Sequence, residues 1–184
     1  MRLFIASTFP EEVIRELNAR VCAIKSKLPH AAWVKPETQH LTFAFLGEQN
    51  EALVDKIAPE LESAVKEVPA FDANLSGAGF FPNNRHARVG WIGLDPDEPF
   101  ARVAGVVRKV VLHAGISLDR ADFRPHLTLM RLKDPWPPAS VETFHKALRD
   151  YRSAPFTMRT VTLYSSRLNP TGAIHTPLRE FALG

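Results

Sequence analysis

His-Leu-Thr followed by an apolar residue occurs twice in this chain, as HLTF at residues 40–43 and HLTL at residues 126–129. The two histidines are 86 positions apart, one in each half of 184 residues. Histidine has an ordinary pKa of about 6.5, so it accepts or donates a proton near neutrality. Two histidines on opposite sides of a phosphate suit cleavage of a phosphodiester. One takes a proton from water while the other protonates the departing oxygen. Threonine hydroxyls beside them donate to the non-bridging oxygens and add no charge of their own. A single His-x-Thr carries little information; its recurrence at equivalent places in two halves is what points to chemistry. His30, His86, His113, His145 and His175 have no such setting and read as surface or packing residues.

These side chains need strands to hold them. In a regular strand alternate residues share a face. His40, Thr42 and Ala44 are then expected on one face, opposite Leu41, Phe43 and Phe45. In the second copy His126, Thr128 and Met130 oppose Leu127 and Leu129. The apolar set is buried, and His and Thr stand side by side about 6–7 Å apart. Arg131 falls on the wrong face of such a strand and needs a bulge or strand end to join His126 and Thr128.

The rest of the chain supplies matching elements. RLFIAST opens as a buried strand stopped by Pro10. PEEVIRELNARVCAIKSKL, NEALVDKIAPELESAVKEV, PFARVAGVVRKVVLHAG and SVETFHKALRDY carry apolar residues at helical spacing. FDANLSGAGFFPN and RHARVGWIGL read as paired strands, FTMRTVTLYSSRL as one alternating strand, and AIHTPLREFAL as the last. Each half sets a helix before its His-Leu-Thr strand and another after it, as a diverged duplication would. If the lobes face each other about a pseudo-twofold axis, both His-Thr pairs line one cleft.

Composition is that of an ordinary globular chain, 45% hydrophobic and 23% charged. A net charge of +3 is a mild basic bias, compatible with a phosphate-bearing ligand and far short of a nucleic-acid coat. Cys22 is the single cysteine, which excludes internal disulfides and thiolate zinc clusters and favours a reducing, cytoplasmic setting. No run is long enough to span a bilayer, so no membrane partner is expected.

The pair HLTF and HLTL, with RLFIA at the start and LYSSRL near the end, resembles the two-histidine phosphoesterase superfamily. Within it, RLFIASTFPEEV, WVKPETQHLTFAFLG, FPNNRHARVGWIGL, FRPHLTLMRL and LYSSRLNPTGAIHTPL are similar to blocks of the RNA 2',3'-cyclic phosphodiesterases, also called 2'-5' RNA ligases. The resemblance implies an α+β fold over residues 1–184, one bilobal pseudo-twofold domain. Two antiparallel sheets flank a central cleft, with helices outside. It implies opening of a 2',3'-cyclic phosphate, on an RNA end or a nucleotide, to a 2'-phosphomonoester. Carried over, His40 is the proton donor to the leaving 3'-oxygen and His126 the base for water. Thr42 and Thr128 bind the phosphate, and Arg131 contacts it. No cofactor and no metal are implied, and a monomer is expected. Relatives often carry basic residues at Ala32 and Ala44, a departure that weakens expected contacts to a longer RNA.

Other readings use the same residues. A module that binds RNA ends or nucleotides without turning them over shares the cleft, and reversible 2'-5' ligation shares the chemistry. The absence of GxxxxGK[ST] argues against an ATP-dependent ligase, and that of G-x-S-x-G against a serine hydrolase. A catalytic zinc site usually has three protein ligands, and neither tetrad contains Asp or Glu.

Overall fold

The computed structural model describes residues 1–118, 122–170 and 172–184. In chain order the elements are β1 (Arg2–Ser7), α1 (Glu11–Lys25), β2 (Ala32–Trp33), β3 (Leu41–Glu48), α2 (Ala52–Lys66), β4 (Phe71–Phe81) and β5 (Val89–Asp95). They continue with α3 (Glu98–His113), β6 (His126–Arg131), α4 (Pro138–Leu148), β7 (Phe156–Met158), β8 (Thr160–Asn169) and β9 (Gly172–Ala182).

Helices form where an apolar stripe coincides with suitable ends. α1 follows Pro10, carries Glu11 and Glu12 at its positive end and Lys25 at its negative end, and buries Val13, Ile14, Leu17 and Val21. α3 buries Phe100, Val103, Val107 and Val110. It stops before Gly115, whose φ of 86° suits a residue without a Cβ. Strands form where apolar residues alternate or run continuously, as in β1, where every residue after Arg2 is buried.

Two antiparallel sheets result, in the orders β3-β1-β8-β9 and β2-β6-β5-β4-β7. α2 packs on α3 and β9, α3 on β3, α1 on α4, and α4 on β4. The α+β architecture with helices outside two antiparallel sheets is therefore as the resemblance implies. The halves are also exchanged in a way periodicity does not reveal. β4, which follows the first His-Leu-Thr strand, joins the sheet of the second, beside β5. β8, which follows the second, joins the sheet of the first, beside β1. FTMRTVTLYSSRL is two strands rather than one. β7 pairs with β4, and after Arg159 the chain crosses to the other sheet as β8. The first sheet curls enough to bring β9 against the 3-10 turn Pro36–Thr38. Leu41, Leu127 and Leu129, the apolar partners of the tetrads, are essentially fully buried.

Candidate active site

His40 and His126 are held alike. Each is half-buried at the entry to its strand, and each Nδ1 donates to the backbone carbonyl two residues back. Nδ1 of His40 lies 2.7 Å from the Thr38 oxygen, and Nδ1 of His126 lies 2.7 Å from the Arg124 oxygen. A carbonyl only accepts, so Nδ1 carries the proton in both rings. Nε2 is then the nitrogen left for chemistry: a lone pair when the ring is neutral, an N–H when it is charged. The PHL and QHL turns that make this bond are local, so the same peptide geometry is built twice.

Aromatic rings support each imidazole. The His40 ring lies 5.0 Å from Phe4, and the His126 ring 4.9 Å edge-on from Phe81. Trp91 stacks on Phe81 at 5.2 Å and completes the support of His126. This fit depends on Gly79, because a Cβ there would overlap the Trp91 ring.

Burial holds both histidines below the ordinary imidazole pKa, partly opposed by the backbone carbonyl each ring bonds. Positive charge adds to the depression. His40 feels His175, Arg131 and His126, and His126 feels Arg131. One guanidinium thus acts on both imidazoles, and His126 acts on His40; β3, which follows His40, is in contact with β6, which carries His126 and Arg131. Thr42 and Thr128 are half-buried, and their hydroxyls have no hydrogen-bond partner among the described residues.

Arg131 joins this group because the strand is bulged. Met130 pairs with Gly90 and Thr128 with Trp91, so Leu129 is an extra residue in β6. Leu129 and Met130 are consequently both buried in succession, and Arg131 returns to the face of His126 and Thr128. The first tetrad does the same. Ala44 pairs with Ile5 and Thr42 with Ala6, leaving Phe43 extra in β3. Strict alternation therefore misplaces Ala44, Phe45 and Met130. Ala44 and Met130 face the core, while Phe45, 64% exposed, sits beside Phe4 on the cleft face. Phe45 and Arg131 occupy the same place five residues after their histidines. Because Ala44 faces the core, its lack of charge takes nothing from the cleft; Ala32 pairs beside Arg131 at the sheet edge.

His175 is the residue that sequence reasoning sets aside and the fold brings in. Its ring meets His40 edge-on at 5.2 Å and Phe4 at 4.9 Å, with Nδ1 buried and without a hydrogen-bond partner among the described residues. Burial depresses its pKa. Nothing in its sequence neighbourhood signals this, since it arrives from the last strand of the other half. His113 pairs instead with Glu60 and His145 with Asn84. Among the aromatics, Phe81 is at the site, whereas Phe80 is buried against Phe144 and Trp136, Phe9 packs on Phe156, and Trp33 lies under Lys25. Among the described residues no group of three or more His, Cys, Asp or Glu is arranged to hold a metal ion, and no helix is long and apolar enough to cross a membrane.

Comparison with known proteins finds relatives along the whole chain. An RNA 2',3'-cyclic phosphodiesterase of Thermotoga maritima is 31% identical over 98% of this chain and 94% of its own length. One of Thermus thermophilus is 34% identical over 100% of this chain and 90% of its own. A crystal structure of a Thermus thermophilus protein superposes with a TM-score of 0.78 at 29% identity, covering 99% of this chain and 97% of that one. The family model of the 2'-5' RNA ligase superfamily matches residues 9–170, and the chain belongs to that superfamily.

Proposed function

We propose that the chain is an RNA 2',3'-cyclic phosphodiesterase that opens the cyclic phosphate of an RNA end or nucleotide to a 2'-phosphomonoester without a metal. The observation that carries this reading is the pair of imidazoles fixed in the same tautomer, with neither Nε2 hydrogen-bonded among the described residues and Arg131 acting on both rings. The full-length likeness to proteins of that name supports the substrate class.

Neutral His126 takes a proton from water at Nε2 while the water oxygen attacks phosphorus. The bond between phosphorus and the 3'-oxygen breaks, and protonated His40 delivers its Nε2 proton to that oxygen. The products are a 3'-hydroxyl and a 2'-phosphomonoester; His126 ends protonated and His40 neutral, and one proton exchange with solvent resets them. Thr42 and Thr128 hydroxyls donate to the non-bridging oxygens, and the Arg131 guanidinium balances their growing charge. The depressed pKa of His126 keeps it a free base, and the bound phosphate anion draws a proton onto His40. Each lobe supplies one histidine, so the acting unit is the whole bilobal chain as a monomer.

The test is turnover of a nucleoside 2',3'-cyclic phosphate in the presence of EDTA, with the product identified as the 2'-monoester. Replacing His40 or His126 by alanine should lower kcat about 10²–10⁴-fold with an unchanged unfolding transition. Wild-type rates in both variants would exclude the assignment; binding of the nucleotide with no turnover would select the binding module.

A further inference from the structure

The cleft face of the first sheet continues beyond the chemistry as two cross-strand rows. The nearer row is aromatic: Phe45, Phe4 and Tyr164 oppose one another on β3, β1 and β8. Phe4 and Tyr164 stack at 5.2 Å, and Phe45 presents most of its ring to solvent. Two residues back along β1, about 7 Å away, Arg2 lies between Glu48 and Ser166 on the same face. A depression of about 380 Å³ opens there, lined by Met1, Arg2, Glu48, Ser166, Arg167 and Leu168.

Its charge is unbalanced. Arg2 and Arg167 are exposed and make no ion pair or hydrogen bond with any described residue. Glu48 is the single carboxylate in the lining, and it lies 3.6 Å from the amino nitrogen of Met1. The equivalent position of the second sheet is uncharged. Val89 faces Arg131 as Phe4 faces Phe45, and two residues before Val89 stands Ala87, fully buried and uncharged. An anion following the cleft face therefore finds Arg2 at the end of the first sheet, with Arg167, which alternation puts on the face opposite Ser166, at the rim of the same depression.

We propose that this depression holds the phosphate backbone of an RNA chain upstream of the cyclic phosphate, with Arg2 and Arg167 as its cations. Phe45 and Tyr164 supply the stacking surface between the chemistry and the arginines. Aromatic platforms alternating with cations are how single strands are held without reading sequence. A mononucleotide ends at the aromatic row; a longer chain reaches the arginines. The site thus distinguishes RNA ends from free cyclic nucleotides, and this rests on the reading of the cleft as a cyclic-phosphate site.

The experiment compares wild type with Arg2→Ala, Arg167→Ala and the double variant on two substrates, a nucleoside 2',3'-cyclic phosphate and an oligoribonucleotide ending in one. Turnover of the mononucleotide should stay unchanged, while kcat/KM on the oligomer falls about tenfold in the double variant. The salt slope for oligomer binding should flatten by about 0.7 per arginine removed. Fluorescence anisotropy with an oligoribonucleotide ending in a 2'-phosphate gives the same test without chemistry. A wild type that binds this oligomer but turns over neither substrate sinks the hydrolase reading and leaves the arginine effect to be read from binding. Equal losses on both substrates, or no loss of oligomer binding in the double variant, would overturn the proposal. So would a wild type that binds the oligomer no tighter than the mononucleotide product.

Discussion

Replacing Arg131 by glutamine separates two effects that its position predicts. The guanidinium shares a face with His126 and Thr128 because of the bulge at Leu129, and its charge reaches both imidazoles. A charge-assisted hydrogen bond to a phosphate oxygen is worth about 1.5–3 kcal/mol. At about 1.36 kcal/mol per decade this is roughly 10- to 150-fold in kcat/KM. Arg131 is exposed, so screening places the expected loss near the lower end, about tenfold. The second effect is on pH. A cation beside an imidazole disfavours the imidazolium, so removing it raises the pKa of His40 and of His126 together. In the free enzyme both lie below the ordinary value, largely through burial, and both limbs of the kcat/KM profile are expected below about pH 6.5. Arg131→Gln should move both limbs toward higher pH while lowering the maximum. The limbs are apparent values of the coupled pair, so the joint upward movement is the quantity to read. The assay is initial-rate hydrolysis of a cyclic nucleotide from about pH 5 to pH 8. A variant with wild-type rate and unmoved limbs would make Arg131 a solvated edge residue and refute the bulge argument.

His175→Phe should keep the edge-on packing against His40 and Phe4 while removing a ring whose protonated form depresses His40. The pH profile should move toward higher pH; a fall in rate with both limbs fixed would reduce His175 to packing. Gly79→Ala forces a Cβ into the Trp91 ring and should cost about 1–3 kcal/mol in denaturant unfolding, and it should slow turnover by shifting the rings that support His126. Unchanged stability in that variant would mean Trp91 repacks without cost.

Much of the fold was legible because it is written locally. The stripe in α1, the apolar run of β1 and the buried leucines of both tetrads follow from periods of 3.6 and 2.0, whatever surrounds them. The tautomers of His40 and His126 are local too, since each bonds a carbonyl two residues away. Alternation failed at Phe43 and Leu129 because a bulge depends on the partner strand: β1 and β5 decide where β3 and β6 take an extra residue.

Residue type and spacing suffice to stand two His-Thr pairs on strand faces with their leucines buried. Which groups meet there depends on how distant strands pair. The exchange of β4 and β8 between sheets draws each site from both halves, so Tyr164 and His175 come to Phe4 and His40, and Phe81 comes to His126. Pairing across long separations sets those contacts, and no window of sequence contains both partners. The repeated HLT therefore announces two equivalent strands, while the pairing of distant strands makes their surroundings unequal, with Phe45 against Phe4 on one strand and Arg131 against Val89 at the same place on the other.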